Sequence, residues 1–428
     1  MTTTEHEGCG CEHNPEAGGM GRRSFLKHLA GTGSVAGLAT QGLSTKLAFA
    51  QAGYAGDVLV VLSLRGGFDG VNAIVPGGDA QYHALRPNIG IPHSSLIPLT
   101  RTFGMHPALK PLKPLWDKGS FGVVHAVGMQ DPSRSHFQAM AEMERAAPGT
   151  ALRSGWLDRT LGLRARGTSY QGVQLGDTMA AASFNGPTPE LAMTSVDSFT
   201  MSGVHDGADR RRWRRALLDM NADAPRSMAA PARTALSAMG TAAELQRAGY
   251  TPRKGSSYPH TELGLALRDV ARLIKARVGL QVASVDYGDW DMHADMGTVG
   301  SGWMHDHLSE LARALAAFAH DLGPTMSRVT LLTLSEFGRR LKENGSGGTD
   351  HGHGQAVLLL GGGVKGGQVL GQWPGLAPSQ LVDGDLAGTT DYRSVLAEAL
   401  EKRCGAGSLT QVFPGLPTER VGAFKVKV

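Results

Sequence analysis

The sequence contains very little cysteine, only three residues in a chain of 428. Cys9 and Cys11 lie within the first fifty residues, so Cys404 is alone in the remainder. One cysteine cannot form an internal disulfide, and it cannot provide the thiolate set of a structural zinc site. A disulfide-stapled fold and cysteine-ligated zinc are therefore excluded.

Long apolar runs and a strong net charge are also lacking. No stretch after the first fifty residues is apolar enough to span a bilayer, and the formal net charge is only +4. The one basic run, residues 210–215, has no groove-reading motif beside it and is typical of a solvated helix face. We therefore expect no nucleic-acid partner and no stable membrane span.

The first fifty residues have the pattern of an export signal. Arg22 and Arg23 precede a weakly apolar stretch of small residues at 29–47, and residues 48–50 fit a small-x-small cleavage site. The pattern predicts a twin-arginine signal peptide over residues 1–50 and recognition by the twin-arginine export machinery. The mature protein is then periplasmic or extracellular.

The remaining chain alternates strand patterns with helical patterns. Apolar residues at helical spacing cover 262–279 and 304–323. Apolar, β-branched runs predict five buried strands, at 58–64, 119–128, 280–285, 329–334 and 356–360. This order predicts an α/β fold, a three-layer α/β/α sandwich with a mainly parallel sheet, in one domain over 51–428. Residues 150–260 are weakly periodic, and we interpret them as an insertion or cap.

Polar side chains cluster at the ends of these strands, where open α/β sheets place their sites. In chain order they are Asp69; Ser133, Ser135 and His136; Asp286, Asp289, Asp291, His293 and Asp295; Glu336; and Asp350, His351 and His353, which precede the fifth strand. Because a parallel sheet brings such ends to one edge, the sequence predicts a single site there.

Carboxylates combined with imidazoles suit zinc, manganese or iron. The acids at 286–295 would repel one another without a cation. One or two bound divalent ions, zinc or manganese, could bind an ester oxygen, and a serine at a helix start has backbone N–H groups nearby for an anion. Arg65 and Arg134 could grip phosphate or sulfate.

Structural explanations stay open for several of these residues. Asp69 could cap a helix or a turn, and either serine could do the same. His136 is a metal ligand or a packed histidine. Glu336 is a candidate catalytic side chain, or it caps a turn or pairs with Arg339 or Arg340.

Six motifs resemble a secreted bacterial family known only as domain of unknown function number fifteen hundred and one. They are "LSLRGGFDGVNAIVP", "SRSHFQAM", "DWDMHAD", "TLSEFGRRLKENGSGGTDHGHG", "GGGVKGG" and "TTDYRSVL", spread over residues 57–412. That family is similar to the alkaline phosphatase and sulfatase superfamily. The resemblance implies an alkaline-phosphatase-like fold with a one- or two-metal site.

The resemblance also implies roles for individual residues. Asp69 resembles the superfamily's metal aspartate after the first strand. Ser135, or Ser133, stands where its nucleophile begins a helix. Asp350 and His351 resemble the adjacent ligand pair of one metal.

For the other metal, Asp291 and His293 resemble an aspartate and a histidine ligand. His353 stands for the superfamily's last histidine, without assignment to either metal. Asp289 keeps the four-residue spacing to His293 that the superfamily uses, whereas Asp291 has the position that the family favours. The choice between the two acids stays open. The absence of a Cys/Ser-x-Pro-x-Arg pattern argues against a formylglycine sulfatase.

We expect an exported, metal-dependent hydrolase of an anionic ester, a phosphate or a sulfate, with a serine nucleophile. The alternative is a secreted binding protein that keeps the fold with a partial metal site and no turnover.

Overall fold

The computed structural model describes residues 56–163, 167–201, 203–204 and 207–427. The predicted twin-arginine signal lies outside the described residues. Within them, no helix combines the length and the apolar character needed to cross a bilayer.

The strands of the described chain are β1 (Val58–Leu64), β2 (Ile74–Val75), β3 (Ile97–Pro98), β4 (Gly104–Met105), β5 (Phe121–Gly128), β6 (Gly172–Leu175), β7 (Leu191–Met193), β8 (Val282–Tyr287), β9 (Val329–Leu334), β10 (Gln355–Gly361), β11 (Val369–Leu370), β12 (Leu381–Val382), β13 (Asp385–Leu386) and β14 (Thr390–Asp391). Within this described part, nine of them form one sheet in the order β11-β5-β10-β9-β1-β8-β6-β7, with β14 beside β5. The remaining strands form two small sheets, β2-β4-β3 and β12-β13.

The α-helices of the same residues are α1 (Gly70–Ala73), α2 (Ala80–Leu85), α3 (Lys113–Asp117), α4 (His136–Arg145), α5 (Trp156–Gly162), α6 (Gly207–Met220), α7 (Arg226–Ala248), α8 (Glu262–Ala276), α9 (Trp303–Leu322), α10 (Tyr392–Lys402) and α11 (Leu409–Val412). Local signals explain several of their ends. Thr261 caps the start of α8 through the backbone N–H of Gly264, and Arg277 ends that helix in a left-handed conformation.

Both faces of the main sheet are buried under helices. Successive side chains of β1 point to opposite faces. Leu62 and Leu64 pack with residues of α8 and α9, whereas Leu59 and Val61 pack with residues of α4, α5 and α10. Burial on both sides explains the unbroken apolar run of this strand. The predicted three-layer α/β/α sandwich with a mainly parallel sheet is confirmed.

One strand of the sheet runs in reverse. β10 is antiparallel to both β9 and β5, while the other pairings of this sheet are parallel. Its amino end therefore lies at the rim where β1, β8 and β9 have their carboxyl ends. The reversal, which the strand patterns did not predict, brings the loop before β10 to the loops after β1 and β8.

Element bounds agree closely with the sequence patterns, with two differences. α4 begins at His136, because Ser135 still has an extended backbone, so the turn that starts at Asp131 is longer than expected. In the region 150–260, β6 and β7 pair in parallel beside β8 and extend the main sheet. A cap at 150–260 remains a prediction, and α6 and α7 are the elements left to form it.

A buried histidine makes the fold sensitive to acid. His125 is 1% exposed; its Nδ1 accepts from the backbone N–H of Ala126, and its Nε2 lies 3.0 Å from the carbonyl of Ile74. Burial lowers the pKa of His125 to about 4. The unfolded chain therefore binds a proton at this residue between about pH 6.5 and pH 4, where the folded chain does not.

We predict that the free energy of unfolding falls as the pH drops through this window, with His125 contributing on the order of 1–2 kcal/mol by pH 5. Urea unfolding at pH 7 and pH 5 should show a smaller fall for His125→Gln than for the wild type. The matched variant His93→Gln removes an exposed histidine and should keep the wild-type fall. Equal falls for the wild type and His125→Gln would contradict the assignment.

Candidate metal centre

Three imidazoles and one carboxylate converge at the rim of the sheet. His136 begins α4, Asp291 and His293 lie in the loop after β8, and His351 lies in the loop before β10. The Nε2 atom of His351 is 3.0 Å from the Nε2 atoms of both His136 and His293, and 3.0 Å from Oδ1 of Asp291. Ligand atoms of His136, Asp291 and His351 all lie within 4.8 Å of one another.

The carboxylate lies between the rings. Oδ1 of Asp291 is 3.1 Å from Nε2 of His293, and Oδ2 is 3.5 Å from Nε2 of His136. The sequence left Asp289 and Asp291 open as alternatives. The structure places Asp291 among the imidazoles, whereas Asp289 is exposed and has a left-handed backbone, with φ 64°.

The opposite nitrogen of each ring has its own partner. Nδ1 of His351 lies 2.8 Å from the backbone carbonyl of Arg134. Nδ1 of His293 lies 3.0 Å from Oδ1 of Asp350. Such partners accept hydrogen bonds, so Nδ1 donates in each case.

Nδ1 of His136 lies 2.9 Å from Oε1 of Glu336, which gives the third ring the same arrangement. Glu336 is 1% exposed and also accepts from the backbone N–H of Gly66 at 2.8 Å. The structure thus places Glu336 behind His136, where it orients the ring.

The arrangement of the rings fits a cation. With Nδ1 donating, the neutral imidazole keeps a lone pair on Nε2, so three lone pairs face one another at the centre of the site. The lone pair of His351 lies 3.0 Å from those of His136 and His293, and they repel unless a metal ion, or a proton on one of the rings, lies between them. Imidazoles held through Nδ1 by carboxylates and carbonyls are typical of metal ligands.

A buried arginine holds Asp291 in its ionised form. Arg339 is fully buried and lies 2.5 Å from Oδ1 of Asp291. Burial alone raises the pKa of Asp291, but the hydrogen bond and charge of Arg339 outweigh it and lower the pKa below its usual range. Arg339 also donates to the carbonyls of Gly67 and Trp290. The sequence patterns had shown Arg339 only as a partner for Glu336.

Asp69 lies outside this group of ligand atoms. It is 3% exposed, caps α1 by accepting from the backbone N–H of Asn72 at 3.0 Å, and pairs with the fully buried Arg86 at 2.7 Å. Both carboxylate oxygens are therefore engaged. We leave Asp69 out of the proposed ligand set.

His353 and Asp350 surround the group without joining it. Nε2 of His353 lies 3.2 Å from the carbonyl of Met129, and its ring packs against Gly128 and Gly388. Asp350 accepts from Asn344 at 3.2 Å as well as from His293. The Asn344 hydrogen bond, followed by the one from His293, lowers the pKa of Asp350.

The two candidate serines differ in their surroundings. Ser135 is the N-terminal cap residue of α4, yet its side chain makes no capping hydrogen bond. The hydroxyl of Ser133 donates to Gln138 at 2.9 Å and accepts from the backbone N–H of Ser135 at 3.1 Å. Ser135, which directly precedes His136, therefore has the less committed hydroxyl.

The two candidate arginines are paired with acids. Arg65 lies 2.7 Å from both Glu144 and Asp286. Burial lowers the pKa of Arg65, but these two acids outweigh it and raise the pKa above its usual range. Arg134 is paired with Asp385.

The solved structures that this chain matches share little sequence with it. The C-terminal periplasmic domain of EcEptC from Escherichia coli is 10% identical over 76% of this chain and 77% of that chain, with a TM-score of 0.32. Alkaline phosphatase from Thermus thermophilus is 14% identical over 70% and 64%, with a TM-score of 0.26. Lipooligosaccharide phosphoethanolamine transferase A from Neisseria meningitidis is 11% identical over 79% and 53%, with a TM-score of 0.27.

No curated protein matches the chain. A family model described as "Protein of unknown function (DUF1501)" matches residues 115–393, well over half of the sequence and including His136, Asp291, His293 and His351. The chain belongs to the DUF1501 family.

Proposed function

We propose that this protein binds one divalent metal ion through His136, Asp291, His293 and His351. The observation that carries the proposal is the convergence on Nε2 of His351, which lies 3.0 Å from Nε2 of His136, Nε2 of His293 and Oδ1 of Asp291. Each of the three Nδ1 atoms has a hydrogen-bond acceptor on the opposite side of its ring. Three imidazoles and one carboxylate suit zinc better than manganese, which favours oxygen ligands.

A single ion accounts for the donors better than two. Two of the acids that the resemblance assigns to metals have other partners. Asp69 forms an ion pair with Arg86 and caps α1, and Asp350 accepts a hydrogen bond from Nδ1 of His293. The side chains of Asp291 and His293 are 45% and 44% exposed, so one side of the site faces solvent. An ester oxygen could approach from that side.

We further propose that the site hydrolyses a phosphate or sulfate ester. A bound divalent ion would polarise an ester oxygen and offset the negative charge that develops on it. Ser135 lies next to His136 at the start of α4, where the backbone N–H groups of the first turn can hold an anion. Because the hydroxyl of Ser135 makes no capping hydrogen bond, we propose it as the nucleophile.

The covalent step is a substitution at phosphorus or sulfur. The Ser135 oxygen forms a bond to that atom as the bond to the ester oxygen breaks, and the serine proton passes through solvent to the leaving alcohol. Water then cleaves the bond to Ser135. Asp291 remains ionised throughout because Arg339 stabilises its charge.

A metal-binding protein without turnover is the second candidate. One observation favours it: Arg65 and Arg134, the arginines expected to grip the ester, are both paired with carboxylates. A phosphoryl or sulfuryl group would have to compete with those acids.

We propose export through the twin-arginine pathway, on the basis of Arg22 and Arg23. In a bacterial host with this pathway, the full chain should appear in the periplasm or the medium. The double substitution Arg22→Lys/Arg23→Lys should retain it in the cytoplasm, as measured by fractionation and immunoblotting. Export of the double variant at the wild-type level would refute this route.

Metal content tests the proposed ligands. The purified protein should bind about one equivalent of zinc after dialysis, and His351→Ala should lose it, because His351 contacts every other proposed ligand. Elemental analysis gives the stoichiometry.

Asp69→Asn is the matched control for that measurement. It should keep the zinc and yet lower the free energy of unfolding by about 3 kcal/mol or more, because Arg86 stays buried without its counterion. Two equivalents in the wild type, one of them lost in Asp69→Asn, would show that the single-ion assignment is wrong.

Activity tests the serine. With zinc bound, the protein should hydrolyse an aryl phosphate or an aryl sulfate, and Ser135→Ala should lower kcat by roughly a thousandfold or more. Ser133→Ala removes the neighbouring hydroxyl and should stay within about threefold of the wild type. If zinc binds and neither ester is hydrolysed, the second candidate stands and the hydrolase is refuted.

A further inference from the structure

A pocket apart from the metal centre lies between helices α6 and α7, in the region interpreted as a cap. Its volume is about 100 Å³. The side chains of Phe199, Met201, Leu236 and Met239 form an apolar floor, and Leu236 is only 5% exposed. None of the proposed metal ligands lines it.

Two arginines of α6 line the same pocket. Arg210 and Arg214 are one helical turn apart on the same face, and both contact the cavity. Like charges at this spacing repel each other and destabilise a helix. The ion pair that the described residues show on α6 belongs to Arg212 and Asp209. An anion between Arg210 and Arg214 would remove the repulsion.

Helix α6 has no buried residue in the described part of the chain. A helix without a buried face draws little stability from packing. An apolar pocket beneath such a helix is therefore accessible, because few contacts need to be broken for a ligand to enter.

We propose that this pocket binds an amphiphile with one anionic head and a hydrocarbon body. The head lies between the guanidinium groups of Arg210 and Arg214, which donate charge-assisted hydrogen bonds to it. The hydrocarbon packs against Phe199, Leu236 and Met239. A cavity of this size holds a few methylene groups, and the open mouth allows a longer chain to continue outward.

The chain offers a matched pair of controls for the charge. Arg211 and Arg215 lie on the same helix at the same spacing, but they do not line the pocket. Replacing either pair by glutamine removes two positive charges from α6. If the ligand binds in the pocket, only the substitution of Arg210 and Arg214 should lower its affinity. If an anion is attracted only by the overall charge of the helix, the two double substitutions should lower the affinity equally.

Gly240 offers a second, independent control. It lines the pocket from α7, and a Cβ added there would meet nothing within 4 Å. Gly240→Leu should therefore fill the cavity without a backbone clash, and it replaces a poor helix former with a good one. Loss of binding in this variant cannot be ascribed to a weakened helix.

Titration calorimetry with octanesulfonate, below its micelle-forming concentration, tests the proposal. A sulfonate has no ester bond, so the proposed hydrolase cannot consume it. We expect saturable binding to the full chain, strengthened about threefold for each of the first few methylenes added to methanesulfonate and by less for those that extend beyond the cavity. Methanesulfonate, the head alone, and octyl glucoside, a tail with an uncharged head, should each bind at least about tenfold more weakly.

Among the variants, Arg210→Gln/Arg214→Gln and Gly240→Leu should weaken octanesulfonate binding by about tenfold or more. Arg211→Gln/Arg215→Gln should stay within about twofold of the wild type, as should His351→Ala, which separates this pocket from the metal centre. Equal losses in the two arginine pairs, equal affinity for methanesulfonate, or no saturable binding would each overturn the proposal.

Discussion

The candidate site depends on one buried side chain, the guanidinium of Arg339. Arg339 is fully buried, and its guanidinium donates to the carbonyls of Gly66, Gly67, Trp290 and Thr349 and to the carboxylate of Asp291. An arginine away from water is tolerated only when its charge and its donors are matched. These acceptors lie in the loops after β1 and β8 and in the segment before β10. One side chain thus holds three distant segments in the arrangement that brings the imidazoles together.

This arrangement also explains the paired glycines after β1. A Cβ on Gly66 would lie 2.6 Å from the backbone nitrogen of Asp291, and one on Gly67 would lie 2.7 Å from the ring of Phe337. Both glycines have positive φ, 117° and 88°, a region that other residues rarely adopt. The loop after β1 can therefore approach the loop after β8 closely enough for Arg339 to donate hydrogen bonds to both loops. A side chain at Gly66 would push this loop away from the loop that carries Asp291, and a side chain at Gly67 would displace the ring of Phe337.

Local sequence patterns were sufficient to predict the main strands of the sheet and some residues of the site. β1 and β9 have the predicted bounds, because strands buried on both faces are unbroken apolar runs. The roles of the site residues were harder to predict, because they depend on contacts between segments far apart in sequence. His136 could equally have been a packed histidine until Glu336, two hundred residues away, was seen to hold its Nδ1. The local sequence around Asp69 fits a metal ligand and a helix cap equally well. Only the ion pair with Arg86, which the local sequence does not reveal, distinguishes the two roles.

The rim of the sheet and helix α6 differ in how strongly the fold constrains them. At the rim, each imidazole is oriented by a partner behind it, and the loops are joined through a buried arginine, so the donor geometry is established before any ligand arrives. Helix α6 has no such anchorage in the described chain, since none of its residues is buried. Substitutions there disturb few core contacts. The proposed chemistry thus depends on the closely held rim, whereas the sequence of helix α6 can change without loss of the sheet beneath.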